Sequence, residues 1–180
     1  MQTIHPVKTE NASVATKRLL DAANDERGVL SNMIKTLAQS PRALEGYVQF
    51  KKALSGGTLS PAIGEQIALV VAQTNLSEYS LAEHAHLAAQ LGLKKEEIQA
   101  SREARAMDKK VDAILRFARD LAARKGEGSM AELRDRGCSD ADIIEVIAYV
   151  ALNVFENYLN DVAQTDLDFP RVQRVSVKAA

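Results

Sequence analysis

Tryptophan is absent from this chain, cysteine occurs once, and phenylalanine and tyrosine together make up only 4% of its 180 residues. A single thiol, Cys138, excludes an internal disulfide and cannot build a metal site alone. With so few rings, the core must be assembled from Ala, Leu, Ile and Val, whose dense packing here favours helices over sheets. Neither sign of charge dominates: the formal net charge is −1. No basic stripe stands ready to neutralise phosphates, which argues against a nucleic-acid partner. No apolar run approaches the roughly 20 residues needed to cross a bilayer. The opening Met1-Gln-Thr-Ile-His-Pro6 lacks the charged and apolar regions of a secretory signal. The expectation is a soluble cytoplasmic protein, without membrane or nucleic-acid partners and without a cofactor. A chain of this length is read as one domain, able to bury roughly 70% of the surface it exposes when unfolded.

What is present is a regular succession of helix starts and stops, with no convincing strand between them. The first helix is expected from about Ala12 to Arg27, ended by Gly28, and a second from about Val29 to Gln39. Ser40-Pro41 and Ser60-Pro61 each pair a good N-cap with a proline suited to the first helical position. They open helices expected to end at Ser55 and near Gln73. A fifth helix is expected from Ser77 to Leu91, with Gly92 at the C-cap, followed by one near Lys94 to Ser101 and one from Asp108 to Lys125. Gly126 and Gly128 mark a loop, and Met130 to Arg136 a short helix ended by Gly137. Ser139 with Asp142 resembles a capping box, opening a long helix to about Ala163. The expected fold class is all-α.

Helical geometry decides what the two central helices present, at about 100° per residue. The helix after Pro61 is apolar almost all round, and Glu65 falls within its second apolar side. A carboxylate there requires a partner or a raised pKa, so it is either ion-paired or a general base or proton relay. On the next helix Ser77, Ser80 and His84 share one inward stripe with Leu81, Leu87, Ala88 and Leu91. His86 lies about 200° from His84 around that helix, so the two imidazoles cannot easily share a metal ion, and no metal site is expected. Ser, His and Glu together also fit a hydrolytic triad, but no Gly-x-Ser-x-Gly elbow accompanies them. Asn153, Asn157 and Asn160 lie on one face of the last helix, as a solvated or subunit-facing stripe or as the lining of a substrate cavity. Lys109, Lys110 and the Arg102 to Arg105 segment are read as solvated charge. No inward arginine near the motif is evident.

Residues 65 to 84 carry the most specific signal. If Ser77 and Ser80 are read as cysteines, the segment becomes Glu-x11-Cys-x-x-Cys-x3-His. That pattern resembles the active-site signature of the AhpD-like alkylhydroperoxidases, within the carboxymuconolactone decarboxylase superfamily. The stretch from Tyr47 to Pro61 is similar to the lead-in helix and loop of the peroxidase-related branch. Ala85 to Leu93 is similar to its post-motif helix, and Ala148 to Asn160 with Asp168-Phe-Pro170 to its closing helix. The resemblance spans roughly residues 40 to 170, preceded by N-terminal helices over residues 1 to 39. It implies an AhpD-like helical fold, assembly into homo-oligomers and a small-molecule substrate. In cysteine-containing relatives it implies antioxidant peroxide reduction, with electrons from thiols or a lipoyl carrier. The positions that carry over are Ser80 for the peroxidatic thiol, Ser77 for the resolving thiol, and His84 with Glu65 for the proton relay.

The serines are the departure. Serine forms no disulfide, and its hydroxyl is a poor nucleophile without a strong base. Three readings follow. The chain is a double Cys→Ser form of a peroxidase, or a natural cysteine-free enzyme using Glu65 and His84 for decarboxylase- or isomerase-like acid–base chemistry, or a non-catalytic oligomer that binds a ligand. In each, thiol-dependent hydroperoxide reduction by the chain as written is not expected. Cys138, ahead of the last helix, is read as a bystander.

Overall fold

A computed structural model describes residues 2–24, 30–124 and 130–172, and these residues contain helices and no strand. After a 3-10 turn at Thr9–Asn11, the helices are α1 (Val14–Asn24), α2 (Asn32–Leu37), α3 (Pro41–Ser55), α4 (Pro61–Asn75) and α5 (Glu78–Gln90). They continue as α6 (Lys95–Arg102), α7 (Lys109–Ala122), α8 (Met130–Asp135) and α9 (Asp140–Ala163). Every expected helix is present, and the long last one ends at the expected residue. The second is shorter than expected because Ser31 caps it, its hydroxyl accepting from Ile34 N. The expected breakers Gly28, Gly126 and Gly128, and the expected helix ends Arg27 and Lys125, lie outside the described residues.

The start signals act as read. Ser40 and Ser60 accept hydrogen bonds from Ala43 N and Ile63 N ahead of Pro41 and Pro61, satisfying amides that the helix cannot. Ser139 and Asp142 form a reciprocal capping box at α9, with Asp doing what Glu more often does.

α4 is the centre of the molecule and packs against α5, α6, α7 and α9. Its all-round apolar sequence explains this, since Ile67, Leu69, Val70, Val71 and Ala72 are all buried and no side is left to face water. One apolar cluster joins Ile67, Val70 and Val71 to Ile114, Leu115 and Ala118 of α7 and to Ile143, Val146 and Val150 of α9. A second joins Leu20, Met33, Leu37, Leu44 and Tyr47 of the N-terminal helices to Leu152.

Two local devices set the helices at the angle the site needs. α4 ends on Leu76 with φ 58°, and Ser77 N donates to Ala72 O at 3.0 Å, closing a Schellman-type stop. A non-glycine residue in this left-handed region costs roughly 1 kcal/mol, yet it turns the chain directly into α5. At the far end, Glu145 of α9 accepts from Thr58 N at 2.8 Å and Leu59 N at 3.1 Å. Asp142 accepts from the Thr58 hydroxyl at 2.6 Å and pairs with Lys110 at 2.9 Å. Hydrogen bonds from Thr58, the Ser139 backbone and Lys110 hold the Asp142 carboxyl well below its usual range. Glycine is required at position 57, where a Cβ would lie 2.5 Å from the Glu145 carboxylate. The α3–α4 loop is thereby clasped to the first turns of α9.

Candidate functional site

The stripe of α5 meets the inner face of α4 and the second half of α9. His84 is 4% exposed, and both its ring nitrogens are engaged. Nδ1 lies 2.8 Å from Glu65 Oε2, and Nε2 lies 3.1 Å from Glu156 Oε2. All three residues are buried, so the pair of ion contacts is desolvated. Burial opposes charge on His84, but Glu65 and Glu156 outweigh it and push its pKa up to about 10. Burial likewise opposes charge on Glu156, but the hydrogen bond from His84, its charge, Lys51 and the Tyr47 hydroxyl pull its pKa down to about 2. The arrangement is an imidazole held between two carboxylates, which together favour its charged form.

A cavity of about 530 Å3 opens onto this trio; its wall includes Glu65, His84, Glu156, Asn153, Tyr149 and Lys51. Tyr149 packs against Gly64, where a Cβ would come within 2.9 Å of the ring, so glycine lets the aromatic wall close in. A smaller cavity of about 250 Å3 shares Lys51, Leu87 and Gln90 with it and is also lined by Tyr47, Met33 and Phe169.

The sequence-derived candidates are brought together in two groups. Glu65 and His84 are in direct contact, as expected. Ser77 and Ser80 are fully buried with their hydroxyls 3.3 Å apart. Ser77, the expected first residue of the helix, sits instead at the N-cap of α5, one position before the observed start, without capping it. Ser80 accepts from Asn160 Nδ2 at 3.4 Å. Among the described residues no hydrogen bond joins either serine to His84, and neither serine lines the larger cavity. A Ser-His hydrolytic pair is therefore not formed. His86 is exposed and stacks on Phe169 at 5.3 Å, diverging from His84 as the helix geometry requires.

Two readings are corrected. The asparagines form neither a solvated nor a subunit-facing stripe, because Asn153, Asn157 and Asn160 are each at least 97% buried within the chain. Arg102 is not solvated; it is buried and donates from Nε and Nη2 to Gln73 Oε1 at 3.0 and 2.9 Å. Burial pushes its pKa down. Among the described residues no arginine lines the cavity, but a cation does, Lys51. Cys138 is buried in the α7–α8–α9 cluster, and burial raises its pKa, so it is an inert core thiol.

Sequence reading missed Glu156. The signal was available: Asn153, Glu156, Asn157 and Asn160 follow the i, i+3, i+4, i+7 spacing of one helix face. A carboxylate inside an otherwise inward amide stripe marks the point where a cation must meet it. Tyr47, whose hydroxyl donates to Glu156 Oε1 at 2.6 Å, was read only as part of a lead-in helix.

Comparison with known proteins bears on the fold and on one segment. The carboxymuconolactone decarboxylase family matches residues 41–124, which include Glu65, both serines and His84 but stop before α9 and Glu156. A variant of the debrominase Bmp8 in complex with 2,3,4-tribromopyrrole has the same fold, with TM-score 0.80, 18% identity and coverage of 93% of this chain and 92% of that one. A peroxidase-related protein from Silicibacter sp. TM1040 superposes with TM-score 0.77 at 19% identity, covering 92% of each chain. Another, with an alkylhydroperoxidase AhpD core, from Ralstonia eutropha JMP134 gives TM-score 0.80 at 18% identity, covering 93% of this chain and 94% of that one. No curated protein matches. Residues 41–124 thus resemble the carboxymuconolactone decarboxylase family, and the solved structures share the all-helical fold of the whole chain.

Proposed function

We propose that this protein is a cofactor-free acid–base enzyme on a peroxidase-related scaffold, acting on a small organic molecule in the 530 Å3 cavity. The observation that carries this reading is the closed Glu65–His84–Glu156 trio on the cavity wall, with no sulfur beside it. An imidazolium between two carboxylates is a proton reservoir in a dry site, the property that a decarboxylase- or isomerase-like reaction needs when a carbanion must be protonated. His84 supplies the proton and Glu65 and Glu156, which face the cavity, pass it on or accept one from the substrate. Ser77 and Ser80 occupy the positions of the family's thiols and leave peroxide reduction without its nucleophile. The halogenated pyrrole held by the debrominase indicates the size of ring such a scaffold accommodates.

The protein is further proposed to act as a homo-oligomer. Ile144, Ile147, Phe155, Tyr158 and Val162 are exposed along the outer face of α9, at the three- and four-residue spacing of a helix–helix seam. A second copy, presenting the same uncharged row, is the matching occupant.

The test is a pair of assays on the chain and on its Ser77→Cys/Ser80→Cys form. One is hydroperoxide reduction with dihydrolipoamide and cumene hydroperoxide, and the other proton uptake on a panel of lactones and β-keto acids. Proton uptake that disappears in Glu65→Gln and His84→Gln, without peroxidase turnover by the unaltered chain, is the expected result. Peroxidase turnover by the unaltered chain, surviving alkylation of Cys138, would overturn it.

A further inference from the structure

Lys51 is a cation on the cavity wall that reaches the acid–base trio through a neighbouring side chain. It is half-buried, and it lines both the 530 Å3 and the 250 Å3 cavities. Its Nζ donates to Tyr47 Oη at 3.2 Å and stands 5.5 Å from the centre of that ring. Tyr47, buried in α3, donates in turn to Glu156 Oε1 at 2.6 Å, and Glu156 Oε2 meets His84 Nε2 at 3.1 Å. Lys51 and Tyr47 are four residues apart on α3, so one helix face holds both. The result is a hydrogen-bonded file from a cation open to the smaller cavity down to the buried trio.

We propose that Lys51 and Tyr47 form the proton inlet of the site, positioning residues that refill the trio through Glu156 from the smaller cavity. The inference rests on the acid–base reading for its purpose, but its geometry and its test do not need a known substrate. Protonating a substrate carbanion leaves the trio one proton short while the substrate itself fills the larger cavity. The shortfall is made up from behind. Tyr47 passes its hydroxyl proton to Glu156 Oε1 as Lys51 passes one to Tyr47 Oη, and a half-turn of the Glu156 carboxyl presents the proton to His84. Lys51 then regains a proton from water. One proton leaves solvent for each proton that reaches the substrate, and no other bond changes. Directions along the file agree with this, since every donor points toward Glu156. Tyrosine is suited to the middle position because its hydroxyl both accepts and donates, whereas lysine can give up its proton and arginine in practice cannot.

The test is exchange of the His84 ring N–H protons with solvent, followed by NMR on protein labelled with 15N histidine, in the absence of any substrate. Tyr47→Phe, which removes one oxygen and keeps the ring, should slow exchange of the Nε2 proton at least tenfold while the ring stays charged. Lys51→Met should slow it similarly, and added methylammonium should restore part of the loss. Lys51→Arg separates proton transfer from charge: it keeps a cation and a donor beside Tyr47 and should remain slow. Exchange in Tyr47→Phe at the unaltered rate, or full recovery in Lys51→Arg, overturns the proposal. Because Lys51 is on a half-buried surface, its variants read the file even if Tyr47→Phe fails to fold. A silent substrate panel with slowed exchange would sink the acid–base reading and leave the inlet standing; normal exchange with active turnover would do the reverse.

Discussion

α9 has two faces that invert the ordinary rule for a surface helix. In its second half the inner face carries Asn153, Glu156, Asn157 and Asn160, all buried, while the outer face carries Phe155, Tyr158 and Val162, all exposed. In its first half the inner face is ordinary, with Ile143, Val146 and Val150 in the α4–α7 core. The contrast separates what holds the fold from what does chemistry. Apolar burial in the first half fixes the helix, and the clasp through Asp142 and Glu145 sets its position. That leaves the second half free to place polar groups where burial alone would never put them. Polar groups inside a chain are costly unless paired, so the inner row marks a site. The apolar row outside is the surface that the proposed second copy would cover.

The sharpest way to break the comparison is to remove the cation from the inner side. His84→Ala strands two buried carboxylates, and breaking a buried pair in this way typically costs about 3–5 kcal/mol, read from urea unfolding at pH 7. The pH dependence gives the sign independently. His84 rises from an ordinary value of 6.5 to about 10, so its contribution is complete below pH 6.5 and is lost as pH climbs through about 10. Glu156 falls from 4.5 to about 2, so its contribution is complete above pH 4.5 and is lost as pH drops toward 2. The contribution of this pair to stability should be level between about pH 4.5 and 6.5 and decline on both sides. In His84→Gln the alkaline decline should vanish; an unchanged alkaline limb would mean the imidazolium is not held by its carboxylates.

Next in size is the cavity wall. Gly64→Ala puts a methyl where the Tyr149 ring lies 2.9 Å away, and overpacking of this kind typically costs about 1–3 kcal/mol. The loss should fall mainly on ligand binding in the larger cavity, because Tyr149 turns into it to make room. Equal binding by Gly64→Ala and the unaltered chain would show that Tyr149 does not shape the site.

Most of the helices were legible because serine caps, proline starts and glycine stops are local chemistry. Glu65, Ser77, Ser80 and His84 were legible because helical periodicity turned a motif into a shared stripe. What escaped were the long-range partners. Nothing within twenty residues of His84 announces that Glu156 will meet it, since that contact depends on how α9 crosses α5. The asparagine row stayed open between solvent, subunit and cavity for a related reason: amides are usually solvated, and only tertiary packing reveals that these two turns face inward. Arg102 followed the same error, its partner Gln73 lying 29 residues away on α4.

Within the inner row the asparagines differ from Glu156. Neither amide atom of Asn157 has a hydrogen-bond partner, although the residue is fully buried, whereas Asn160 reaches Ser80. Asn157→Leu, close in volume, should therefore stabilise the chain by about 1 kcal/mol, since an unpaired buried amide costs about 1–3 kcal/mol. Asn160→Leu should gain less, because it also removes the partner of Ser80. Destabilisation by Asn157→Leu in thermal unfolding would mean that this amide has a task in the folded protein that its protein contacts do not reveal.

The smallest effect on the chain's own stability should come from the outer face, and there the assembly rather than the fold should respond. Tyr158 and Val162 are 65% and 67% exposed, so replacing them touches little of the core, and surface changes of this kind usually stay within about 0.5 kcal/mol. Tyr158→Glu with Ile144→Glu introduces two like charges into a row that would face its own copy, where repulsion and desolvation act together. Light scattering at micromolar concentration should then give a mass falling to the 19.6 kDa of one chain, with unfolding in dilute solution unchanged. If the unaltered protein already scatters as a single chain, the outer row is bare surface, and the inversion of α9 belongs to the inner site alone.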